Sequence, residues 1–261
     1  MTRGVLFWCS AGMTLLTVLF LTLPVGISIL SAFAVAWHKG IGAGLTLQWM
    51  GHVLAAYWPT ILMSLRVAAA CLAVTLVVGV PAAYALATRQ GLLSRLFEET
   101  LTLPIAVPGI AIAIALIQTH QSIRTSWVFI LIGHVIFTLP FMVRAVTAIM
   151  RRMQLRALEE GAATLGAGFW RRFFTVVLPN ALPGILAGSL MVVTLSLGEF
   201  NLTMFLHTPL TMTLPVGLYD AYASLRMEVG AAYTVIFFVL IIPLLLAMQR
   251  LGGDRRVGGG V

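Results

Sequence analysis

The sequence predicts an all-α membrane protein with six transmembrane helices and a long loop between the fourth and the fifth helix. Composition is the first observation behind this class: of the 261 residues, 60 % are hydrophobic and 9 % are charged, whereas soluble domains carry about 25 % charged residues. The second is that the apolar residues gather into six runs, each near the roughly 20 residues that a helix needs to cross a ~30 Å bilayer core. Because the runs are uniformly apolar and do not alternate, they predict helices and not barrel strands.

The six predicted helices follow these runs in chain order, and we expect them to form a single transmembrane domain over residues 1–261. Their expected positions are about 7–35, 60–87, 102–120, 126–149, 182–206 and 229–250. The first run also resembles a signal peptide, because Arg3 precedes it and the small residues Ala32 and Ala34 stand near its end. No charged residue lies between Arg3 and Lys39, however, and this apolar region exceeds the about 7 to 15 residues of a secretory signal. We therefore expect a retained helix.

The basic residues predict how the chain is oriented in the membrane. Apart from Arg66 in the second run, only Lys39, Arg124 and Arg226 of the 16 Lys and Arg residues fall on one side. The other side collects Arg3, Arg89, Arg95, Arg144, Arg151, Arg152, Arg156, Arg171, Arg172, Arg250, Arg255 and Arg256. Cytoplasmic loops carry the excess of Lys and Arg, so we expect both termini in the cytoplasm. The net charge of +8 therefore reflects topology and does not indicate nucleic-acid binding.

The loop between the fourth and fifth predicted helices, residues 150–181, carries a helical pattern of its own. Its apolar residues recur three or four positions apart, at Leu155, Leu158, Ala162 and Leu165, while charged residues take the other positions, at Arg151, Arg152, Arg156, Glu159 and Glu160. Gly166 and Gly168 interrupt this pattern, and a second short segment from Phe169 is expected to end at Pro179 and Pro183. Such an amphipathic helix either lies on the membrane surface or binds in a groove of a partner protein.

The same loop resembles a known protein family. The run EEGAATLGAGFWRRFFTVVLPNALPGI is similar to the EAA motif of the permeases of binding-protein-dependent ATP-binding cassette (ABC) importers, and it matches at Glu160, Ala162, Gly166, Leu178 and Pro179. Gly161 stands where the motif has its first Ala, and Val176 stands where it has Ile. The segments GVPAAYALATR, LPIAVPG and LGEFNLTMFL also look familial. The overall pattern is most similar to the spermidine/putrescine, 2-aminoethylphosphonate and ferric iron permeases.

The resemblance implies that the chain lies in a bacterial inner membrane and transports its substrate together with several other proteins. The motif residues belong to a coupling helix that binds a dimer of cytoplasmic ATP-binding subunits, with Gly166 permitting the turn after it. The other implied partners are a second permease, expected to be a homologous but different chain, and a periplasmic substrate-binding protein. The implied substrate is a small solute such as a polyamine or 2-aminoethylphosphonate, with ferric iron, sulfate and molybdate as alternatives.

ATP and Mg²⁺ are expected to bind the partner ATPase, so this chain is expected to be no enzyme and to hold no cofactor or metal. A P-loop needs a Lys in a glycine-rich frame, and the sole Lys, Lys39, lies in no such frame. No His-Glu-x-x-His motif and no pair of aspartates lies in the predicted spans. The residues for metal-dependent or carboxylate-dependent catalysis are therefore missing, and no catalytic residue is predicted.

Some polar and small residues within the predicted spans need an explanation. Glu199 needs a protein partner or a water-filled cavity; with Asn201 and Thr203 it is expected to line the translocation pathway, and helix packing is the alternative. His134 is expected to be a hydrogen-bonded packing residue. The small-xxx-small step at 184–188 permits close helix contact, either within this chain or with a second permease.

Overall fold

The computed structural model describes residues 2–89 and 91–253 of the chain. Within these residues the protein is almost wholly helical, with one isolated β-bridge between Ala34 and Leu45. The helices are α1 (Thr2–Phe33), α2 (Gln48–Ala56), α3 (Trp58–Thr88), α4 (Leu92–Ala106), α5 (Gly109–Thr119), α6 (Trp127–Arg152), α7 (Leu155–Thr164), α8 (Phe169–Arg172), α9 (Leu178–Gly198), α10 (Asn201–Leu206), α11 (Leu214–Ala223) and α12 (Met227–Gly253). A π-helical turn, Phe173–Val177, joins α8 to α9. The predicted all-α fold class is confirmed.

Several of these helices are long and apolar enough to cross a membrane. In the described part of the chain they are Phe7–Phe33, Trp58–Thr88, Trp127–Arg152, Phe169–Gly198 and Met227–Arg250. α4 and α5 meet the same criterion as a pair that is bent by 102°. Counting this pair as one span gives up to six, in the same chain order as the six apolar runs of the sequence.

The third span differs from the continuous helix that the sequence predicted over 102–120. α4 begins before this range and ends at Ala106, and α5 starts only at Gly109. Pro108 explains the break, because a proline lacks the helical N–H and disfavours a helical conformation in the residue before it. Val107 is accordingly extended, with ψ 129°. This apolar run therefore forms two half-helices and not one helix.

The fifth span also differs from the helix predicted over 182–206. A continuous helix, Phe169–Gly198, forms this span, so the prediction that Pro179 and Pro183 close a separate short segment is wrong. Pro179 lies in the first turn of α9, directly after the π-helical turn, where a proline is tolerated. The helix ends instead before Glu199, whose ψ of 114° is extended, and α10 follows this second break.

The described residues belong to two compact units. The first unit is drawn from residues 1–58 and 217–239. Inside it, Arg226 Nη1 donates a hydrogen bond of 2.7 Å to the Tyr57 hydroxyl, and the rings of Tyr57 and Tyr233 lie 5.4 Å apart. These contacts tie the short connection before α3 to the beginning of α12.

The second unit is drawn from residues 59–216 and 240–261 and contains the core that positions the candidate site. Most of the buried side chains of this core lie on α3, α6 and α9, and they include Cys71, Val80, Ala83, Met142, Val146, Met150 and Val192. Leu155 of α7 and Val177 of the π-helical turn belong to the same cluster. The loop after α6 is therefore anchored to the transmembrane core.

Gly184 and Gly188 decide one alternative that the sequence left open. A Cβ on Gly184 would lie 2.9 Å from the carbonyl oxygen of Ala145, and a Cβ on Gly188 would lie 2.7 Å from the sulfur of Met142. Both neighbours belong to α6. The small residues therefore let α9 approach α6 closely within this chain.

Candidate functional site

α7 lies in the loop where the amphipathic pattern predicted a helix, but its inward face differs in one position. Leu155 is 3 % exposed and Glu159 is 6 % exposed, while Ala162 is half-buried; these residues share one helical stripe. Leu158, which the pattern placed on the apolar face, is exposed. Glu159 can take the inward position because the hydroxyl of Tyr84 on α3 donates hydrogen bonds to its carboxylate.

Gly166 ends α7 in a left-handed turn, with φ +80°. The N–H of Ala167 donates to the carbonyl of Ala162 at 3.1 Å, and the N–H of Gly166 donates to the carbonyl of Ala163 at 2.9 Å. This pair of hydrogen bonds is the Schellman arrangement, which favours glycine. A Cβ at Gly166 would meet no atom within 4 Å, so glycine is required by the backbone angle and not by crowding.

Glu160 lies on the outward face of α7. Arg156 Nε donates to its carboxylate at 3.0 Å, and the two side chains are 72 % and 66 % exposed. An exposed ion pair of this kind contributes only about 0–1 kcal/mol. Glu160 can therefore exchange Arg156 for a charged group of another protein at little cost.

Large apolar side chains are exposed around the turn that follows α7. Leu165 is 88 % exposed and Trp170 is 68 % exposed. Phe174 stacks on Trp170 with ring centroids 6.1 Å apart. A group of exposed apolar side chains at a structured turn is typical of a surface that a partner protein or a membrane covers.

A cavity of about 870 Å³ opens beside α7, between the end of α3, the start of α4 and the end of α6. The charged residues that line it are Arg89, Arg95, Glu98, Arg151, Arg156 and Glu160. Arg151 pairs with Glu98 at 2.9 Å, and Arg156 pairs with Glu160. Because the arginines outnumber the glutamates, the wall of the cavity carries a net positive charge.

The last two motif residues lie at the start of α9. Leu178 is half-buried against the core of the second unit, and Pro179 is exposed in the first turn of the helix. The motif is thus divided between two places. One part lies in α7 and the turn at its C-terminal end, and the other lies in the N-terminal part of the fifth span, Phe169–Gly198, which is called the root of this span below. The two parts are close in the fold because Leu155 and Val177 share one buried cluster.

Tyr84 and Glu159 form a contact that the sequence reasoning missed. The Tyr84 hydroxyl lies 2.8 Å and 3.0 Å from the two carboxylate oxygens of Glu159. Its ring packs edge-on against Phe173, with centroids 5.4 Å apart. The available signal was the spacing: Glu159 follows Leu155 by one helical turn on the inward stripe, and a carboxylate there requires a polar partner.

The break between α9 and α10 contains Glu199. One of its carboxylate oxygens accepts a hydrogen bond of 2.8 Å from the N–H of Leu202, which satisfies one of the free N–H groups at the start of α10. Glu199 is half-buried and Asn201 is exposed. A Cβ on Gly109 would lie 3.5 Å from the Leu202 nitrogen and 3.6 Å from the Asn201 Cβ. The starts of α5 and α10, each of which follows a break, therefore meet at this point.

Thr203 lies behind the break and is fully buried. Its hydroxyl is 2.8 Å from Nε2 of His134, and Nδ1 of His134 is 2.8 Å from the hydroxyl of Ser196. A neutral imidazole offers one donor and one acceptor, and both are used here. His134 on α6 thus connects the residues on the two sides of the break, which is the packing role expected from the sequence.

The motif residues of the loop and the residues of the break lie far apart. Even the motif residues nearest the break, Leu178 and Pro179, lie at the opposite end of α9, whose 21 residues span about 32 Å at ~1.5 Å per residue. The structure therefore connects the two groups through one helix and does not bring them together. Over the described residues, no three His, Cys, Asp or Glu side chains form a group that could hold a metal ion.

The candidate spans and the two breaks are those of a multi-pass membrane protein. The family described as "binding-protein-dependent transport system inner membrane component" matches residues 75–257, more than two thirds of the chain. The chain belongs to this family and is the transmembrane permease subunit of an ABC importer.

Two curated relatives and one solved structure agree with this assignment. A Salmonella typhimurium (strain LT2) protein named as a 2-aminoethylphosphonate transport system permease, PhnV, is 26 % identical over 251 residues, which cover 94 % of this chain and 93 % of the relative. The molybdenum transport system permease protein ModB of Escherichia coli K12 is 29 % identical over 220 residues, 76 % of this chain and 96 % of ModB. A chain in the crystal structure of a bacterial ABC transporter involved in the import of the acidic polysaccharide alginate has the same fold, with a TM-score of 0.69, 16 % identity and coverage of 98 % of this chain and 97 % of that chain.

Proposed function

We propose that α7 is the coupling helix through which a separate ATPase drives this permease. The observation that carries the proposal is the exposure of Glu160 and Leu165 around a turn that leads into the helix Phe169–Gly198. The ATPase binds this exposed face, and its movement passes along the helix to the break at Glu199. The coupling site consists of Glu160, Ala162, Gly166, Leu178 and Pro179.

The family supports docking to a protein over binding to a lipid surface, and it also indicates the other partners. This chain supplies one half of the translocation pathway, and a second permease, a homologous but different chain, supplies the other half. A dimer of cytoplasmic ATP-binding subunits binds ATP and Mg²⁺, because the sole lysine of this chain, Lys39, lies in no P-loop frame. The permease itself carries no ATPase site. A periplasmic binding protein delivers the substrate.

The pathway runs past the break between α9 and α10. Asn201 is exposed there, and Glu199 shapes the break by capping the N–H of Leu202. Thr203 is buried and supports the pathway indirectly, because the hydrogen bond between its hydroxyl and His134 holds α10 in place. Broken helices at substrate pathways are a recurring device in membrane transporters, since unwound backbone is tolerated where it lines a cavity.

The substrate is a small solute that carries a tetrahedral oxyanion group. The relatives supply the support: 2-aminoethylphosphonate has a phosphonate group, and molybdenum in neutral water is the oxyanion molybdate. Sulfate has the same geometry. Polyamines and ferric iron, which the sequence resemblance also suggested, have the opposite charge.

Both termini lie in the cytoplasm, and the protein lies in a bacterial inner membrane. The support is the distribution of arginines, since Arg89, Arg95, Arg151 and Arg156 gather around one cavity and cytoplasmic loops carry the positive excess. The apolar helices support a multi-pass arrangement in the lipid bilayer.

The experiment that tests this function is uptake by the reconstituted importer. The chain, its second permease, the ATPase and the binding protein are placed in proteoliposomes, and uptake of 2-aminoethylphosphonate, molybdate, sulfate and putrescine is measured with and without ATP. We expect ATP-dependent uptake of one of the oxyanions and none of putrescine. Uptake by this chain alone, without ATP or ATPase, would contradict the permease assignment; ATP-dependent uptake of putrescine alone would contradict only the substrate class.

A further inference from the structure

Glu159 is a buried carboxylate that faces away from the proposed ATPase-binding surface. Only 6 % of the residue is exposed, and both of its carboxylate oxygens accept from the Tyr84 hydroxyl, at 2.8 Å and 3.0 Å. Burial of a charged group is unfavourable unless hydrogen bonds and opposite charge compensate it. The Glu159 carboxylate therefore depends on polar partners at this position, whereas Leu155 anchors α7 by apolar packing.

Arg172 of a third element, α8, contacts the backbone of Glu159. Its Nη1 atom lies 3.5 Å from the backbone carbonyl oxygen of Glu159. Its Nε atom is buried and has no hydrogen-bond partner among the residues that the structure describes. The half-buried Arg172 thus joins α8 to the backbone of α7, while the side-chain partner of the Glu159 carboxylate in the described structure is the Tyr84 hydroxyl.

The ring of Tyr84 contacts the same root while its hydroxyl contacts α7. Phe173 lies edge-on to the ring with centroids 5.4 Å apart, and Phe169 lies 6.1 Å away. Both phenylalanines belong to the helix Phe169–Gly198. One side chain at the end of α3 is thus bound to the coupling helix by hydrogen bonds and to the fifth span by aromatic packing.

We infer that Tyr84 and Glu159 form the joint that transmits movement of the coupling helix to α3. The inference rests on the proposed function of α7 and extends it to two positioning residues that touch neither the ATPase nor the substrate. The backbone already links α7 to the fifth span, whereas these hydrogen bonds link it to α3. Without the Tyr84 hydroxyl, the ATPase still binds α7, but α3 no longer moves with it.

The test uses the assembled importer in proteoliposomes and measures the substrate imported per ATP hydrolysed. Tyr84→Phe keeps the ring and removes the hydroxyl, Glu159→Ala removes the acceptor, and Glu159→Gln keeps an acceptor oxygen without the charge. Glu99→Gln removes an exposed carboxylate and serves as the control. Retention of the ATPase during purification and the thermal unfolding of each variant are measured in parallel.

We expect Tyr84→Phe and Glu159→Ala to lower the imported substrate per ATP at least about threefold, a change of the size that one lost hydrogen bond to a charged group permits. The ATPase should stay attached to both. Glu159→Gln should recover most of the wild-type ratio, because its amide oxygen accepts from Tyr84, and Glu99→Gln should leave the ratio unchanged. A role in folding alone would lower the unfolding temperature without changing the ratio.

An unchanged ratio in Tyr84→Phe, in an importer whose wild type is coupled to ATP, would overturn the joint and leave the proposed function intact. If Glu159→Ala does not fold, Tyr84→Phe decides, because it retains the packing of the ring. Loss of the ATPase from Tyr84→Phe would also overturn the inference, since the pair would then serve docking. A wild-type complex without ATP-dependent uptake would instead contradict the proposed function itself.

Discussion

Single polar residues inside the spans connect helices of the second unit to one another. His134 bonds to Ser196 and Thr203, and the sulfur of Cys71 lies 3.1 Å from the hydroxyl of Thr138. A polar group that loses its partner in an apolar interior costs about 1–3 kcal/mol. These contacts therefore favour one arrangement of α3, α6, α9 and α10 over arrangements that leave the groups unpaired.

His134→Ala should lower the free energy of unfolding by about 1–3 kcal/mol, because two buried hydroxyls lose their partner and a cavity remains. Thermal unfolding of the purified permease in detergent measures the change. His120→Ala is the control, since His120 is exposed and its ring bonds only to the neighbouring Thr119 in the described structure. Equal stability of the two variants would show that the His134 contacts add nothing to the fold.

Two substitutions of Glu199 distinguish the effect of its charge from the effect of its hydrogen bond to the N–H of Leu202. Glu199→Gln retains an oxygen that accepts from the N–H of Leu202, whereas Glu199→Ala removes it and should cost about 1 kcal/mol as a lost helix cap. We expect uptake and stability to fall in Glu199→Ala and to stay near wild type in Glu199→Gln. Uptake that is lost in Glu199→Gln while stability is kept would assign the charge itself to contact with the solute.

Among the structural elements, α7 depends on the turn at Gly166. Gly166→Ala should weaken this turn by about 1–2 kcal/mol, because a Cβ disfavours positive φ, and it should lower ATP-driven uptake and loosen the ATPase. Gly168→Ala is the matched control, since Gly168 has an ordinary φ of −66° and equally open surroundings. We expect uptake by Gly168→Ala to stay close to that of the wild type and uptake by Gly166→Ala to be the lowest of the three. Equal uptake by both variants would mean that the turn does not serve coupling.

The elements differ in how far the sequence predicts them. The apolar runs predicted the spans because composition and length are enough for a helix in lipid. They did not predict the breaks after Ala106 and Gly198, because each break depends on a local conformation inside an uninterrupted apolar run. Pro108 breaks the helix and Pro179 does not, since the π-helical turn before Pro179 accommodates it.

The sequence predicted those parts of the candidate site in which a residue type has one specific structural role, such as glycine at a positive φ. The turn at Gly166 followed from the motif and has the positive φ that glycine permits. The joint between Tyr84 and Glu159 joins residues that are distant in the sequence, and only the fold brings them together. Thr203 was expected at the pathway, but its burial against His134 depends on how α10 packs.

The proposed mechanism of the whole protein joins two distant sites through one helix. The helix Phe169–Gly198 begins after the turn at Gly166 and ends at the break before Glu199. Under the proposed function, this helix moves as a rigid body, so a shift at α7 reaches the break without unfolding of the helix. Chemical energy from a separate ATPase can thus change the shape of a pathway that the ATPase does not touch.

The most direct measurement of this account is covalent cross-linking between α7 and the ATPase in the assembled importer. Leu165→Cys is introduced in a Cys9→Ser background, because Cys9 is exposed while Cys71 is buried. The complex is treated with a cross-linker that carries a maleimide for this thiol and an amine-reactive ester for lysines of the ATPase. Leu210→Cys serves as the control, since Leu210 is as exposed as Leu165, at 90 % and 88 %, but lies after α10. We expect an adduct with the ATPase from Leu165→Cys and none from Leu210→Cys. An adduct from Leu210→Cys alone, in a complex that still transports, would contradict it.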